Sequence, residues 1–399
     1  MSIEELEARI EQLSADISLQ KDVLQQLERS KSAAQRQLNA LRDPLSQLPL
    51  EISSEIFRHC LPHGPRSPKA GMAPQLLMNI CSGWTNIALS NPILWNEIDL
   101  ESPGAQVLRL WVERAGDRPL SILLRGALDA PVAKVLEQYA TRIRHFEIYG
   151  TEYSDVLNSN LSVGSFCCLR TLKVGTFVED KHRELHNASV ADVMALLRLA
   201  PNLVECTIDT FVARSYHAKE ELVLPSLTRA EFLEEQDGDV LRHLTLPSLN
   251  TLLATYSDIS NQSLLLLFQR SSPPLQILSL GHQGAADFIA LEMGLRLVPS
   301  LTQLDIRSLY HDFAHKFLTS LADSHFLPNL RILKIRHPLG TFPHALLLPA
   351  LSARRTQLVS FYLGGSSRYK FEVDDGLRAL IADGMAIEIG TKAVNLISG

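Results

Sequence analysis

The segment Pro299-Ser300-Leu301-Thr302-Gln303-Leu304-Asp305-Ile306 carries the pattern Leu-x-x-Leu-x-Leu, and the same spacing returns eight more times along the chain. Earlier copies are Ile143-Phe146-Ile148, Leu169-Leu172-Val174, Leu203-Cys206-Ile208, Leu227-Ala230-Phe232, Leu249-Leu252-Ala254 and Leu275-Leu278-Leu280. Later ones are Leu330-Leu333-Ile335 and Leu358-Phe361-Leu363. First positions of successive copies lie 26, 34, 24, 22, 26, 26, 29 and 28 residues apart. The last two apolar positions of a copy alternate, as on a strand with one face inward, and the first closes the turn before it. A unit this short cannot bury its own apolar face, so neighbours must stack.

Between the copies, apolar residues recur at helical spacing over 189–199, 259–269, 285–297 and 311–321. The expected fold of residues 101–399 is therefore α/β, a solenoid with parallel strands inside and helices outside, and Ala386 to Ile389 offer a final capping strand. The period and pattern resemble leucine-rich repeats of the degenerate kind, without an asparagine ladder.

Upstream, the run from Val107 through Trp111 and Gly116 to Ile122 reads as helix, glycine stop and strand. Before it, residues 43–100 are neither repetitive nor strictly periodic. They contain Leu48-Pro49-Leu50-Glu51-Ile52, then Ile56-Phe57, a Pro/Gly-rich stretch over 61–74, then Cys81-Ser82-Gly83-Trp84 and Pro92-Ile93-Leu94-Trp95. Over 51–60, Ile52, Ile56, Phe57 and Cys60 share one helical face; over 75–89, Leu76, Leu77, Ile80, Trp84, Ile87 and Ala88 share another. Two short helices and a turn at Trp95 make a core too small for so many large apolar groups, so the module must dock on something or expose a patch.

This order of residues resembles an F-box, and the helix-stop-strand run that follows resembles the equivalent segment in a large, basidiomycete-type group of fungal F-box proteins carrying such repeats. The resemblance implies a domain, residues 43–100, that docks on a Skp-type adaptor of a cullin-RING ubiquitin ligase through Leu48, Pro49, Ile52, Ile56 and Trp84. Two features depart from the pattern: the loop between the halves is long, and Ser82-Gly83 stands where a basic pair is common. A glycine inside a helix costs about 1 kcal/mol relative to alanine.

Residues 1–42 hold a seven-residue repeat, with Ile3, Ile10, Ile17, Leu24 and Leu38 at one seam position and Leu6, Leu13, Leu27, Ala34 and Leu41 at the other. Gln20 and Lys31 interrupt the seam, and Asp43-Pro44 ends it. A stripe that narrow needs a partner helix, so the expectation is a coiled-coil homodimer through residues 3–41.

A net charge of −6 spread over the length, with no basic stripe, argues against nucleic acid as a partner, and no run of about 20 apolar residues argues for a membrane span. The acidic start, Met1-Ser2-Ile3-Glu4-Glu5, is unlike a signal peptide. Five cysteines without paired spacing suit a reducing compartment, so the cytoplasm or nucleus is the expected location and the sequons at Asn160, Asn187 and Asn261 are read as chance. No phosphate loop, nucleophile elbow or zinc set occurs; His182/His186 have their glutamate in neither position that a zinc peptidase motif needs, and His311/His315 have no further ligand nearby beyond Asp312. An enzyme is not expected, and neither is a cofactor or metal.

Function then falls to binding. The inner sheet face would carry Lys173, Glu205, Asp209, Arg229, Glu231, Gln303, Asp305, Arg307, Lys334, Arg336 and Tyr362. The late cluster of Asp305, Arg307, Lys334, Arg336 and Tyr362 points to an acidic or phosphorylated segment of a protein substrate. The expected function is the substrate-recognition subunit of a ubiquitin ligase of the SCF type; the alternative is a non-ligase scaffold with the same solenoid and a degenerate F-box.

Overall fold

The computed structural model describes residues 3–42, 45, 48–60, 73–102, 104–126, 129–149, 164–175, 190–209, 211–212, 221–233, 235–236, 240–254, 259–283, 288–309, 311–337, 343–365, 375–391 and 394–395. The chain divides into two compact units, Met1–Asp99 with Leu110–Arg118, and Leu100–Arg109 with Pro119–Gly399.

The first unit begins with one uninterrupted helix, α1 (Ile3–Arg42), every described side chain of which is exposed. There follow α2 (Leu50–Cys60), α3 (Ala73–Met78), α4 (Ser82–Leu89) and a 3-10 turn at Pro92–Trp95. The helical pattern over 75–89 thus resolves into two helices rather than one. Thr85 holds the turn between them: its hydroxyl lies within hydrogen-bonding distance of the carbonyl oxygens of both Met78, at 2.7 Å, and Cys81, at 3.0 Å. Gly83 therefore sits in the first turn of α4, not in a helix interior, and the cost expected of it falls away. The proline-rich stretch lies outside the described residues except for Ala73 and Pro74, which open α3, where proline's missing amide is not needed.

The core of this unit is aromatic. Trp95 has no exposed surface, donates its indole N–H to the Ala88 carbonyl at 2.8 Å, and meets Trp111 edge-on at 5.0 Å. Arg114 lies over the Trp95 ring at 4.4 Å. Both Trp111 and Arg114 come from α5 (Ala105–Arg114), which Gly116, at φ 58°, brings to a stop.

A thirteen-stranded sheet begins with β1 (Glu97–Glu101), most of which belongs to the first unit, and its other twelve strands belong to the second unit: β2 (Leu120–Arg125), β3 (Ile143–Tyr149), β4 (Thr171–Gly175), β5 (Glu205–Ile208), β6 (Arg229–Phe232), β7 (Thr251–Ala254), β8 (Ile277–Gln283), β9 (Gln303–Leu309), β10 (Ile332–His337), β11 (Ser360–Gly365), β12 (Ala386–Thr391) and β13 (Val394–Asn395). Spatial order follows chain order throughout. From β2 to β12 the pairing is parallel, and β13 closes on β12 antiparallel. The fold is α/β and solenoid-like, with the repeat motif in strict register. Phe146, Leu172, Cys206, Ala230, Leu252, Leu278, Leu304, Leu333, Phe361 and Ile387 form one continuous row. All three apolar positions of all nine copies are at most 5 % exposed.

A second row holds the turns together through the backbone. The carbonyl of Val204 accepts the amides of Thr228 and Arg229; that of Thr228 accepts Asn250 and Thr251; Asn250 accepts Gln276 and Ile277; and the series continues through Gln276, Thr302 and Arg331. Two side-chain amides reinforce it: Asn202 donates to the Cys167 carbonyl at 2.9 Å and Asn329 to that of Pro299 at 3.0 Å.

The outer layer depends on repeat length. Spans of 26 residues or more after β7 carry α8 (Asn261–Ser271), α9 (Phe288–Arg296), α10 (His311–Leu321) and α11 (His344–Ala353); α7 (Val190–Leu199) precedes β5, α6 (Ala130–Gln138) precedes β3 and α12 (Asp375–Ala382) precedes β12. The 24- and 22-residue spans that begin at Leu203 and Leu227 have no described α-helix; short parallel pairs, Leu222–Val223 with Leu244–Thr245 and Phe211–Val212 with Glu235–Gln236, stand there instead. Where the α10 end turns back to β10, Arg354 is buried to 1 % exposure and donates to the carbonyls of Leu321, Asp323, Phe326 and Leu327 and to the Gln357 side chain. Burial pushes its pKa down, and the Asp323 charge offsets part of that.

Candidate functional surfaces

On α2 the inward face is Ser53 and Phe57, both without exposed surface, rather than the wider face of Ile52, Ile56, Phe57 and Cys60 expected from spacing. Cys60 is exposed. The four-residue step from Ser53 to Phe57 is one helical stripe; Ile52 and Ile56 form the adjacent stripe and stand 50 % and 36 % exposed. Leu48 and Pro49 are exposed too, at the entry to the helix. Their position is fixed by Ser53, whose hydroxyl donates to the Leu45 carbonyl at 3.1 Å and reaches that of Pro49 at 3.4 Å. Trp84 differs from the other four: it is half-buried, its ring 4.9 Å from that of Phe57, and its buried indole nitrogen has no hydrogen-bond partner among the described residues.

Leu76 and Ile80, which spacing placed on one apolar face with Leu77 and Ala88, are instead exposed, and Leu50 and Leu89 add to that surface. The signal was present: Leu76 and Ile80 lie four apart in a segment whose core positions are already filled by Leu77, Cys81 and Ala88. Ser53 was missed because a lone serine on an apolar face carries no marker of the bond it makes.

On the inner face of the sheet, register brings the five candidate substrate residues together. Asp305, Lys334 and Tyr362 are direct neighbours on β9, β10 and β11, and two residues further along the strands Arg307 neighbours Arg336, which neighbours Gly364. Adjacent strands lie about 4.8 Å apart, so the patch is three strands wide. The Arg336 guanidinium reaches Asp305 at 3.5 Å and lies over the Tyr362 ring at 5.7 Å. Asp305 is only 8 % exposed, so its charge is answered from within the patch. Gly364 leaves room for the ring: a Cβ there would sit 2.8 Å from the Tyr362 ring edge and its hydroxyl, and the ring would have to shift. Three cations against one carboxylate leave the patch basic, with Glu388 at the end of the same row as Tyr362.

Earlier on the face, acids and bases answer each other locally. Lys173 meets Glu147 at 2.8 Å across β3 and β4, and Arg229 meets Glu231 at 3.4 Å along β6. Both pairs are part-buried and neutralise charge where they stand. The late patch is where charge of one sign accumulates.

The remaining chemical candidates thin out. Asn160, Asn187, the His182/His186 pair and the His311 side chain lie outside the described residues, and Asn261 is buried at the head of α8. Among the described residues no group of three or more His, Cys, Asp or Glu could hold a metal, and no helix is long and apolar enough to cross a membrane. The chain matches no protein-family model and no curated protein.

Proposed function

We propose that the chain is the substrate-recognition subunit of an SCF-type ubiquitin ligase. The helical module of residues 43–100, read as an F-box, docks on a Skp-type adaptor through Leu48, Pro49, Ile52, Ile56 and Trp84, while the repeats, read as leucine-rich repeats, hold the target. The observation that carries the reading is the division of labour on α2: Ser53 and Phe57 fill the core, while Ile52, Ile56, Leu48 and Pro49 are left as exposed apolar surface. The subunit itself makes and breaks no bonds; it raises the local concentration of target at the ubiquitin-loading subunit. The target is a protein with an acidic or phosphorylated segment that meets Arg307, Lys334 and Arg336 beside Tyr362.

Co-purification with a Skp-type adaptor tests the first half. The wild-type chain is expected to form a stable complex, and Leu48→Ala with Pro49→Ala to lose it while the repeats keep their thermal transition; a wild-type chain that binds no adaptor leaves the scaffold reading in its place. For the second half Lys334→Glu is the cleaner probe, because Arg336 also answers the buried charge of Asp305. It is expected to abolish target capture without unfolding; unchanged capture removes the basic patch from the target site.

A further inference from the structure

The seam of α1 is open along its length. Ile3, Ile10, Ile17 and Leu24 at one position of the seven-residue repeat, and Leu6, Leu13 and Leu27 at the other, are between 43 and 76 % exposed. We propose that the occupant of this seam is the α1 helix of a second copy of the chain, parallel and in register, in a two-stranded coiled coil.

The surface relief fits a helix. A shallow hollow on α1 is lined by Leu13, Asp16, Ile17, Gln20, Lys21 and Leu24. In a coiled coil each seam side chain enters a hole made by four residues of the facing helix. Leu13, Asp16, Ile17 and Gln20 are the four that would receive a partner's Ile17; Ile17, Gln20, Lys21 and Leu24 are the four that would receive its Gln20. The hollow is the two holes joined.

Residue choice sets the number and direction of strands. Isoleucine holds the first seam position in the first three repeats and leucine holds the second at Leu6, Leu13 and Leu27, the distribution that favours parallel dimers. Charge agrees. In a parallel register Asp16 of one helix flanks Lys21 of the other, on both sides of the seam; full antiparallel overlap would instead bring Lys21 against its own copy and Lys31 against Leu13. Parallel pairing also sets Gln20 and Lys31 each in a layer with its own counterpart. Polar layers weaken the dimer but disfavour every shifted register.

The test uses the full chain and is independent of adaptor binding. Sedimentation at about 10 µM is expected to give a dimer, and Ile10→Lys with Ile17→Lys a monomer whose repeats keep their thermal transition, since both side chains lie outside the repeats. Direction is read by crosslinking: with Cys60, Cys167 and Cys168 replaced by serine, Ile3→Cys is expected to oxidise to a 3–3 linked dimer, while a mixture of Ile3→Cys and Leu41→Cys chains gives no 3–41 link. Asp16→Lys is expected to weaken the dimer roughly two- to five-fold, and adding Lys21→Asp to restore it. A monomer at that concentration, a trimer or larger species, a 3–41 link, or a charge swap that fails to restore affinity each overturns the proposal.

Discussion

Leu304 and Ile306 on β9 and Ile52 and Ile56 on α2 are the same kinds of side chain, yet the first pair has no exposed surface and the second stands a third to a half in solvent. The difference follows from how each region obtains its core. A repeat strand gains a neighbour on each side from the chain itself, so every motif position is covered by the next turn. The helical module has no such succession; once Phe57, Leu94 and Trp95 have filled its interior, further apolar residues remain outside. Burial in the repeats therefore reports stability, and exposure in the module is what the proposed docking would use.

The sharpest way to break that contrast is a matched pair of truncations. Leu304→Ala is expected to cost about 2–5 kcal/mol in urea unfolding, and Ile52→Ala less than about 1 kcal/mol. Equal losses would mean that Ile52 belongs to a core after all. Next in size is Arg354→Met, expected to cost about 2–4 kcal/mol because it strands several buried carbonyls that only a guanidinium of this reach can satisfy. Arg354→Lys should recover little of it; full recovery would show that charge alone, not the fork of donors, holds the turn.

Cys206 gives a pH test of the repeat interior. Burial pushes its thiol up to about 12 from 9.0, so the fold favours the protonated form. The stabilisation is complete below pH 9; above it the unfolded chain ionises first, and stability declines until the folded thiol also ionises near pH 12. A loss of roughly 1 kcal/mol by pH 10 is expected, and it should vanish in Cys206→Ala. At pH 8 the native chain should react with a thiol reagent at the exposed Cys60 and Cys167 and not at Cys206. Smallest is Ser53→Ala, expected to cost about 1 kcal/mol. If the proposed docking holds, its more telling readout is adaptor affinity, which should fall because Leu45 and Pro49 lose their tether.

Much of the repeat architecture was legible because spacing alone states it: Leu301, Leu304 and Ile306 could be aligned with eight other triplets before any strand was seen, and α10 begins and ends where apolar periodicity places it. What escaped reading was every feature held by a single polar group. A threonine hydroxyl helps to fix the break between α3 and α4, a serine the pose of Leu48 and Pro49, and an arginine the turn after α10. None has a periodic signature, since each bond is to a carbonyl that sequence does not display. The late basic patch was legible as a set of residues, but the Asp305 to Arg336 pairing within it needed the register of β9 against β10.

The double-acceptor carbonyls have a consequence for how such a chain can change its length. Gln276 receives the amides of Thr302 and Gln303 in the way that Asn250 receives those of Gln276 and Ile277. Excising residues 276–301 would present Asn250 with the same two amides it loses, at the same place on the next turn. Whole turns are thus interchangeable currency for the backbone, and the length of the inner face can drift by duplication or deletion while the joints stay the same.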